Sequence, residues 1–308
     1  MAGYRAVGSR AMSERLKVPD RAIFRRRRNL EKKYGIALDG PNGPPEANVD
    51  RMRGLDRIPG RVHDEMTDGV VLVGSDAHFW PGIRTTAFRG FLHLCRELKP
   101  KIVVKNGDAL DFPRISRHPP IGWEQTPEVI QEIECTQERL GEIEQAAGKA
   151  RRYWPAGNHD LRYETRLAQV APEYAKVHGI HLKDHFPLWE PCWSLWINDH
   201  AVVKHRFRGG IHATWNNTVY AGKTIITGHL HSLQVRPFTD YNGTRWGVDT
   251  GTMADPFGPQ FEYLEDNPRN WRAGFIVLTF HKGRLLTPEM VNVIGEDEIE
   301  FRGKAIHV

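Results

Sequence analysis

A chain of 308 residues with 40% apolar content is long enough for one large domain with a buried core and a small appendage. No apolar run approaches the roughly 18 residues of a membrane span, and the start lacks a secretory stretch, so neither a membrane partner nor export is expected. Three scattered cysteines (Cys95, Cys135, Cys192) form no metal spacing and no disulfide framework, which fits a reducing cytosol, and the net charge of +5 is unevenly spread.

The charge belongs to the first element. Residues 1–35 hold eleven Lys or Arg against three Asp or Glu, whereas the rest of the chain is slightly acidic. Within this basic arm, "SRAMSERL" and "RAIFRRRRNLEKKYG" read as two helical pieces, with Asp20 as N-cap and Gly35 as stop. Ile23, Leu30 and Tyr34 fall on one stripe, with Arg25, Arg26 and Arg28 largely away from it. Residues 36–68, rich in Gly, Pro and charge, read as a linker. From residue 69 to 308 the texture is that of a folded body. Strands are expected at 70–73, 102–105 and 152–155, and helices at about 85–98, 127–150 and 161–176. After residue 192 the pattern is mostly strand, with hairpin turns at Tyr241-Asn242-Gly243 and His281-Lys282-Gly283. An α/β first half and a strand-rich second half predict two sheets packed face to face with helices outside.

Five of these strands end in residues that bind metals. "VLVGSDAHFW" delivers Asp76 and His78, which point the same way if the segment stays extended. "KIVVKNGDALDF" delivers Asp108 and Asp111, and "PAGNHD" delivers Asn158, His159 and Asp160. "AVVKHRF" delivers His205, and "IITGHLHS" delivers His229 and His231. Singly, each has an ordinary explanation: a turn or cap aspartate, a left-handed asparagine, a strand histidine. Jointly, at the carboxyl ends of strands where α/β sites gather, they point to one shared centre.

In order and spacing, Asp76-x-His78, Gly107-Asp108-x-x-Asp111, Gly157-Asn158-His159-Asp160, a later histidine and Gly228-His229-x-His231 resemble the calcineurin-like metallophosphoesterases. The resemblance covers about residues 69–295 and looks most like the phage and prophage type. It implies a four-layer α/β/β/α sandwich of two mixed sheets flanked by helices, here with a small helical N-terminal extension. It implies two divalent metal ions, the first held by Asp76, His78, Asp108 and His231. The second would be held by Asp108, Asn158, His205 and His229, with Asp108 bridging. His205 is preferred to His200 and His212 because it ends the apolar run 201–203. With no cysteine in the set, Mn²⁺ is expected, Fe or Zn²⁺ being alternatives. A hydroxide bridging the metals would attack a phosphate ester, with His159 protonating the leaving oxygen and Asp111 orienting His159.

The departures narrow the substrate. Phe112 stands where protein phosphatases of this family carry a phosphate-gripping arginine, and Phe79 and Trp80 stand where they carry a glycine. Arg162 is a candidate phosphate contact, whereas Arg166 reads as a solvated helix residue. The expected function is a metal-dependent phosphodiesterase or nuclease acting on nucleic acid or nucleotides in a bacterial or phage-infected cytoplasm. The alternatives are a phosphomonoesterase, or a DNA-binding accessory protein whose phosphoesterase activity is secondary. The arm resembles helix-turn-helix segments, which makes DNA a candidate partner through phosphate neutralisation.

Overall fold

The computed structural model describes residues 12–34, 58–118, 122–267 and 269–308. The chain divides into two units, Met1–Arg57 and Ile58–Val308.

In the first unit, a helical turn at 12–16 precedes helix α1 (Asp20–Tyr34). Asp20 is the first residue of that helix rather than a cap outside it. Ile23 is buried, with Met12 and Leu30 packed against it, and Arg25 and Arg26 are exposed. Arg27 pairs with Glu31 one turn on, at 2.8 Å. Residues 1–11 of the arm, its expected stop at Gly35, and linker residues up to 57 lie outside the described residues.

The second unit holds two sheets. In the first, β2 (Gly69–Gly74), β3 (Ile102–Lys105), β4 (Arg151–Pro155) and β5 (Glu190–Cys192) run parallel as neighbours. On the other side of β2, β11 (Gly274–His281) pairs antiparallel. Beyond it lie β13 (Glu289–Gly295), β14 (Glu298–Phe301) and β15 (Lys304–His307). A short β12 (Arg284–Leu285) folds back on β11 through Lys282 and Gly283, both at positive φ (50° and 75°), as a type I′ turn requires. The second sheet runs β1 (Val62–Asp64), β6 (Leu195–Ile197), β7 (Ala201–Val203), β8 (Thr224–Thr227), β10 (Gly243–Asp249), β9 (Gln234–Asp240). Strand β1 falls in the stretch read as linker. It pairs in parallel with β6, so the sheet begins before residue 69.

Side-chain alternation sets the layers. In β2, Leu72 enters one apolar core while Val71 and Val73 enter the other; β3 divides Val103 from Ile102 and Val104 in the same way. The first core lies under helices α2 (Thr86–Leu98) and α3 (Val129–Ala147), through Phe88, Phe91, Leu140 and Ile143. The second core lies between the sheets, where these valines meet Leu195, Ile197, Val203, Ile226 and Val248. Two further helices follow β4 and β7: α4 (Asp160–Val170) and α5 (Ala213–Ala221), the latter packing on β8, β9 and β10. The order is therefore helix, sheet, sheet, helix: a four-layer sandwich of two mixed sheets.

Helix starts follow local chemistry. The Thr85 hydroxyl caps α2 by accepting from Phe88 N–H at 3.2 Å. Glu128 and Gln131 form a capping box at α3, at the start of the helix expected over about 127–150. The helix expected over 161–176 ends at Val170 and gives way to a 3₁₀ turn at Pro172–Tyr174, because Pro172 has no N–H to continue it. Helix α5 shows no apolar stripe: its buried face is Ala213, Thr214, Asn217 and Thr218, so packing on the sheet rather than periodicity selects it. All three cysteines are buried and free. No helix among the described residues is long and apolar enough to cross a membrane.

Candidate metal centre

Every expected ligand follows the end of a strand by two to four residues. Asp76 and His78 follow β2, Asp108 follows β3 and Asn158 follows β4. His205 follows β7, and His229 and His231 follow β8. The loops after β2 and β3 keep running side by side through Asp76 N–H to Gly107 C=O (3.1 Å), His78 N–H to Asp108 C=O (3.1 Å) and Phe79 N–H to Ala109 C=O (2.8 Å). The loop after β7 joins that after β8 through Gly228 N–H to His205 C=O at 2.8 Å.

The backbone reason for convergence differs from the expected one. The loop after Gly74 is not extended: Asp76 (φ 51°), His78 (φ 38°), Asp108 (φ 48°), His229 (φ 72°) and His231 (φ 57°) all occupy the left-handed region. Such residues cost on the order of 1–3 kcal/mol each and persist only where their surroundings over-determine them. Close approach is the second constraint. A Cβ on Gly107 would stand 2.3 Å from the His205 ring, and one on Gly157 would stand 2.1 Å from Asp108 Oδ1. Only glycine lets these loops meet.

Three side-chain groups lie close enough to share a cation, their candidate ligand atoms within 4.8 Å of one another: Asp76/His78/His231, Asp108/His205/His229 and His78/Asp111/His159. Each of the first two holds three of the four residues of an expected set, without Asp108 in the first and without Asn158 in the second. Asp108 Oδ1 accepts the His159 N–H at 2.8 Å, and its Oδ2 lies 3.0 Å from His205 Nε2. Asp76 Oδ1 lies 3.0 Å from His231 Nε2, and its Oδ2 accepts the His229 N–H at 2.9 Å. The third group is a hydrogen-bonded set: Asp111 Oδ1 faces Nδ1 of His78 at 3.0 Å and Nδ1 of His159 at 2.8 Å. His200 and His212 stay exposed, while His205 is buried.

The donor atoms fit a cation. Nε2 of His78, Nδ1 of His231 and Oδ1 of Asn158 are buried without a hydrogen-bond partner, and Nε2 of His205 faces the Asp108 carboxylate. His205 donates Nδ1–H to Asn106 C=O at 2.8 Å, and His78 turns Nδ1 to Asp111, so each ring leaves Nε2 for a metal. Burial opposes ionisation of Asp76, yet His231 and His205 hold it well below the carboxylate range. Burial likewise opposes ionisation of Asp108, and His205 and His159 hold that carboxyl low. Burial disfavours a charged His205, but Asp108 and Asp76 push it up to about 9. A pocket that draws a proton this strongly favours a cation in its place.

The supporting residues were not legible as such. Asp160, which opens α4, accepts from Asp108, Gly157 and the Trp154 indole, each at 2.9 Å, and from Ala109 at 2.9 Å. Its carboxylate thereby ties the β3 and β4 loops together. Glu132 on α3 accepts from Asp111 N–H (3.1 Å) and Phe112 N–H (2.7 Å), fixing the turn that presents Asp111. Its one sequence signal is a carboxylate on a buried helix face. Lys105 is fully buried and donates to Gly107 C=O. Burial pulls its ammonium down, against Asp160, Asp76 and Asp108. Trp271 packs edge-on and Phe261 tilted against His231, and Gln260 and Tyr263 line the adjoining cavity. Phe112, in the phosphatase arginine position, is buried and stacks on Tyr163. Arg162 donates to Asp111 C=O at 2.7 Å and reaches His159 Nε2 at 3.3 Å.

Comparison with known proteins adds little. No family model and no curated protein matches the chain. Among solved structures it is similar to zinc-complexed Vps29 of Entamoeba histolytica, with TM-score 0.40, 16% identity, and 77% of this chain and 98% of that chain covered. It is also similar to Vps29 of Chaetomium thermophilum (TM-score 0.42, 10% identity, 79% and 95% covered). A third is a conserved Streptococcus pneumoniae protein described as a predicted phosphoesterase (TM-score 0.33, 11% identity, 74% and 91% covered).

Two outcomes test the support. Asp160→Ala removes the acceptor of five N–H groups, Leu110 N–H at 3.4 Å being the fifth, and should destabilise the fold by about 2–4 kcal/mol, read from urea unfolding; a loss below about 1 kcal/mol contradicts the tie. Glu132 is pushed up to about 8 by burial, against two backbone donors, from an unfolded value near 4.5. The folded chain therefore holds a proton that the unfolded chain releases, and stability falls as pH rises between these values. Glu132→Gln should flatten that fall, gaining about 1–3 kcal/mol on the wild type between pH ~6 and ~9. Parallel profiles would mean that Glu132 is ionised throughout.

Proposed function

We infer that the chain is a metal-dependent phosphodiesterase that hydrolyses nucleic acid or nucleotides. The single observation that carries this reading is the pair of buried carboxylates, Asp76 and Asp108, ringed by unpaired imidazole and amide atoms beside a cavity. Asp76, His78, Asp108 and His231 would hold one divalent ion, and Asp108, Asn158, His205 and His229 a second, with Mn²⁺ the ion of choice. When bound, such ions supply positive charge against the phosphate oxygens and lower the proton affinity of water.

The chain's own groups do the rest. Burial opposes a charged His159, but Asp108 and Asp111 outweigh it and shift the imidazole toward the protonated form. Asp111 fixes the ring through Nδ1, so Nε2–H would donate to a leaving alkoxide once the Arg162 guanidinium, 3.3 Å from Nε2 here, turns to the phosphate. Arg162, between Asp111 C=O and the His159 ring, would carry a guanidinium to a phosphate oxygen at that position. The buried Phe112 offers no charge there. The arm, exposing Arg25 and Arg26, is read as a DNA contact. The phage or prophage type and a cytoplasmic location belong to the same reading.

With Mn²⁺, the protein should hydrolyse bis(p-nitrophenyl) phosphate. Asp108→Asn should abolish the activity, and His159→Ala should lower kcat by about 10²–10⁴-fold. Faster turnover of the monoester would favour a phosphomonoesterase, and no turnover with Mn²⁺, Fe²⁺ or Zn²⁺ would favour an accessory protein. Removing residues 1–35 should weaken DNA binding and its salt dependence while sparing the small diester. Unchanged affinity would remove the arm from the reading.

A further inference from the structure

The cleft at the metal centre has two lobes that share Arg117, His118, Asn158 and Arg162. The first, of about 1060 Å³, contains Asp111 and Glu124 as well as arginines. The second, of about 700 Å³, is bounded by Arg117, Arg162, Arg166 and Arg206, with no carboxylate among its described lining residues. It opens beside Asn158 and His229, so it begins at the metal centre and leads away from it.

Two of its arginines belong neither to the candidate ligand set nor to the hydrogen bonds around His159. Arg166 is two turns into α4, and Arg206 follows His205; both are exposed. Neither forms a hydrogen bond or ion pair with a described residue. An anion that engages both must extend past the phosphate held at the metals. The chain continues from Arg206 into Phe207, 44% exposed, and Arg208. Consecutive Cα atoms are about 3.8 Å apart, so the backbone of these two residues lies within about 8 Å of Arg206 in the arginine lobe. The Arg208 guanidinium lies 3.6 Å over the ring of Tyr220, itself 62% exposed, and the Lys204 ammonium lies 5.0 Å over Phe207. Cationic groups interleaved with exposed rings are the surface a single strand uses: phosphates meet the cations and unstacked bases meet the rings. A duplex keeps its bases stacked and would leave the rings without a partner.

We propose that this arginine lobe, continued by Phe207, Arg208 and Tyr220, is a binding track for a single-stranded polynucleotide, seating the nucleotides next to the scissile phosphate. The track rests on the phosphodiesterase reading of the metal centre for its catalytic meaning. Its geometry lies outside the ligand set.

The test compares a short fluorescein-labelled oligothymidylate with bis(p-nitrophenyl) phosphate, using the full chain with Mn²⁺. In Arg166→Ala/Arg206→Ala, kcat/KM on the oligonucleotide should fall about tenfold, and the salt slope should drop by roughly 1.4, at ~0.7 per lost phosphate contact. Turnover of the small diester should stay within about twofold. Phe207→Ala should cost the oligonucleotide about fivefold with the salt slope unchanged. If variants and wild type cleave the oligonucleotide alike at every salt while both hydrolyse the small diester, the track is overturned and the phosphodiesterase reading stands. If the wild type cleaves neither substrate, yet oligonucleotide anisotropy still depends on these arginines, the track stands and that reading fails. A duplex of matching length that competes as well as the single strand overturns the single-strand assignment.

Discussion

Two carboxylates out of contact with water constrain this molecule more than any other feature. Asp76 and Asp108 are 0% and 1% exposed, and a buried charge is tolerated only when it is paired and hydrogen-bonded. The fold meets that demand from several directions: His229 and His159 donate backbone N–H groups, and His231 and His205 present ring nitrogens. Lys105 adds a buried ammonium whose charge those same acids help to sustain. The partners come from strands far apart in sequence, so neither acid is stable until both sheets have assembled. Compensation by imidazoles alone is incomplete, because several of their remaining nitrogens face no partner. Electroneutrality and hydrogen bonding thus make the same demand, a cation among the five loops.

Parallel strands make that meeting possible. β2, β3 and β4 point their carboxyl ends one way in the first sheet, as β7, β8 and β10 do in the second. Each sheet therefore delivers its loops at one end, where α/β folds place their sites. Alternating burial along β2 and β3 supplies a core on both faces, which holds that end rigid. The rigidity is used at once, since five candidate-ligand positions sit in left-handed backbone and two glycines leave room for a facing side chain where a Cβ would clash. Strain of this kind survives only on a scaffold that leaves the loops no alternative.

What could be read in the sequence was residue chemistry at strand ends. Runs such as 102–105 are apolar and short, and the polar residues beyond them are few enough that their kinds are informative. Asp76, His78, Asp108, His205, His229 and His231 could be named for this reason, and the structure brings them together. Geometry was less legible. Convergence of Asp76 with His78 was expected from an extended segment, whereas left-handed turns produce it. Asp160 and Glu132 were hidden because their work is to accept backbone N–H groups from loops 20 to 52 residues away, a relation that no local pattern encodes. Helix α5 was hidden because its buried face is polar and small, so its helicity depends on the sheet beneath it.

The same logic explains why the cleft is cationic while the centre is acidic. The two ligand carboxylates cancel part of the charge of any bound cations, and a phosphodiester brings only one negative charge to what remains. Attraction strong enough to hold a long polyanion must then come from groups that the centre does not consume. Arg162 is partly consumed, since it is tied to Asp111 C=O and the His159 ring. Arg166 and Arg206 are not, and they stand where a chain leaving the centre would pass. Chemistry and affinity are thereby assigned to different residues. On the proposed reading, the acids and imidazoles would set what happens to one phosphate, and the free guanidinium groups would set how many neighbouring phosphates come with it.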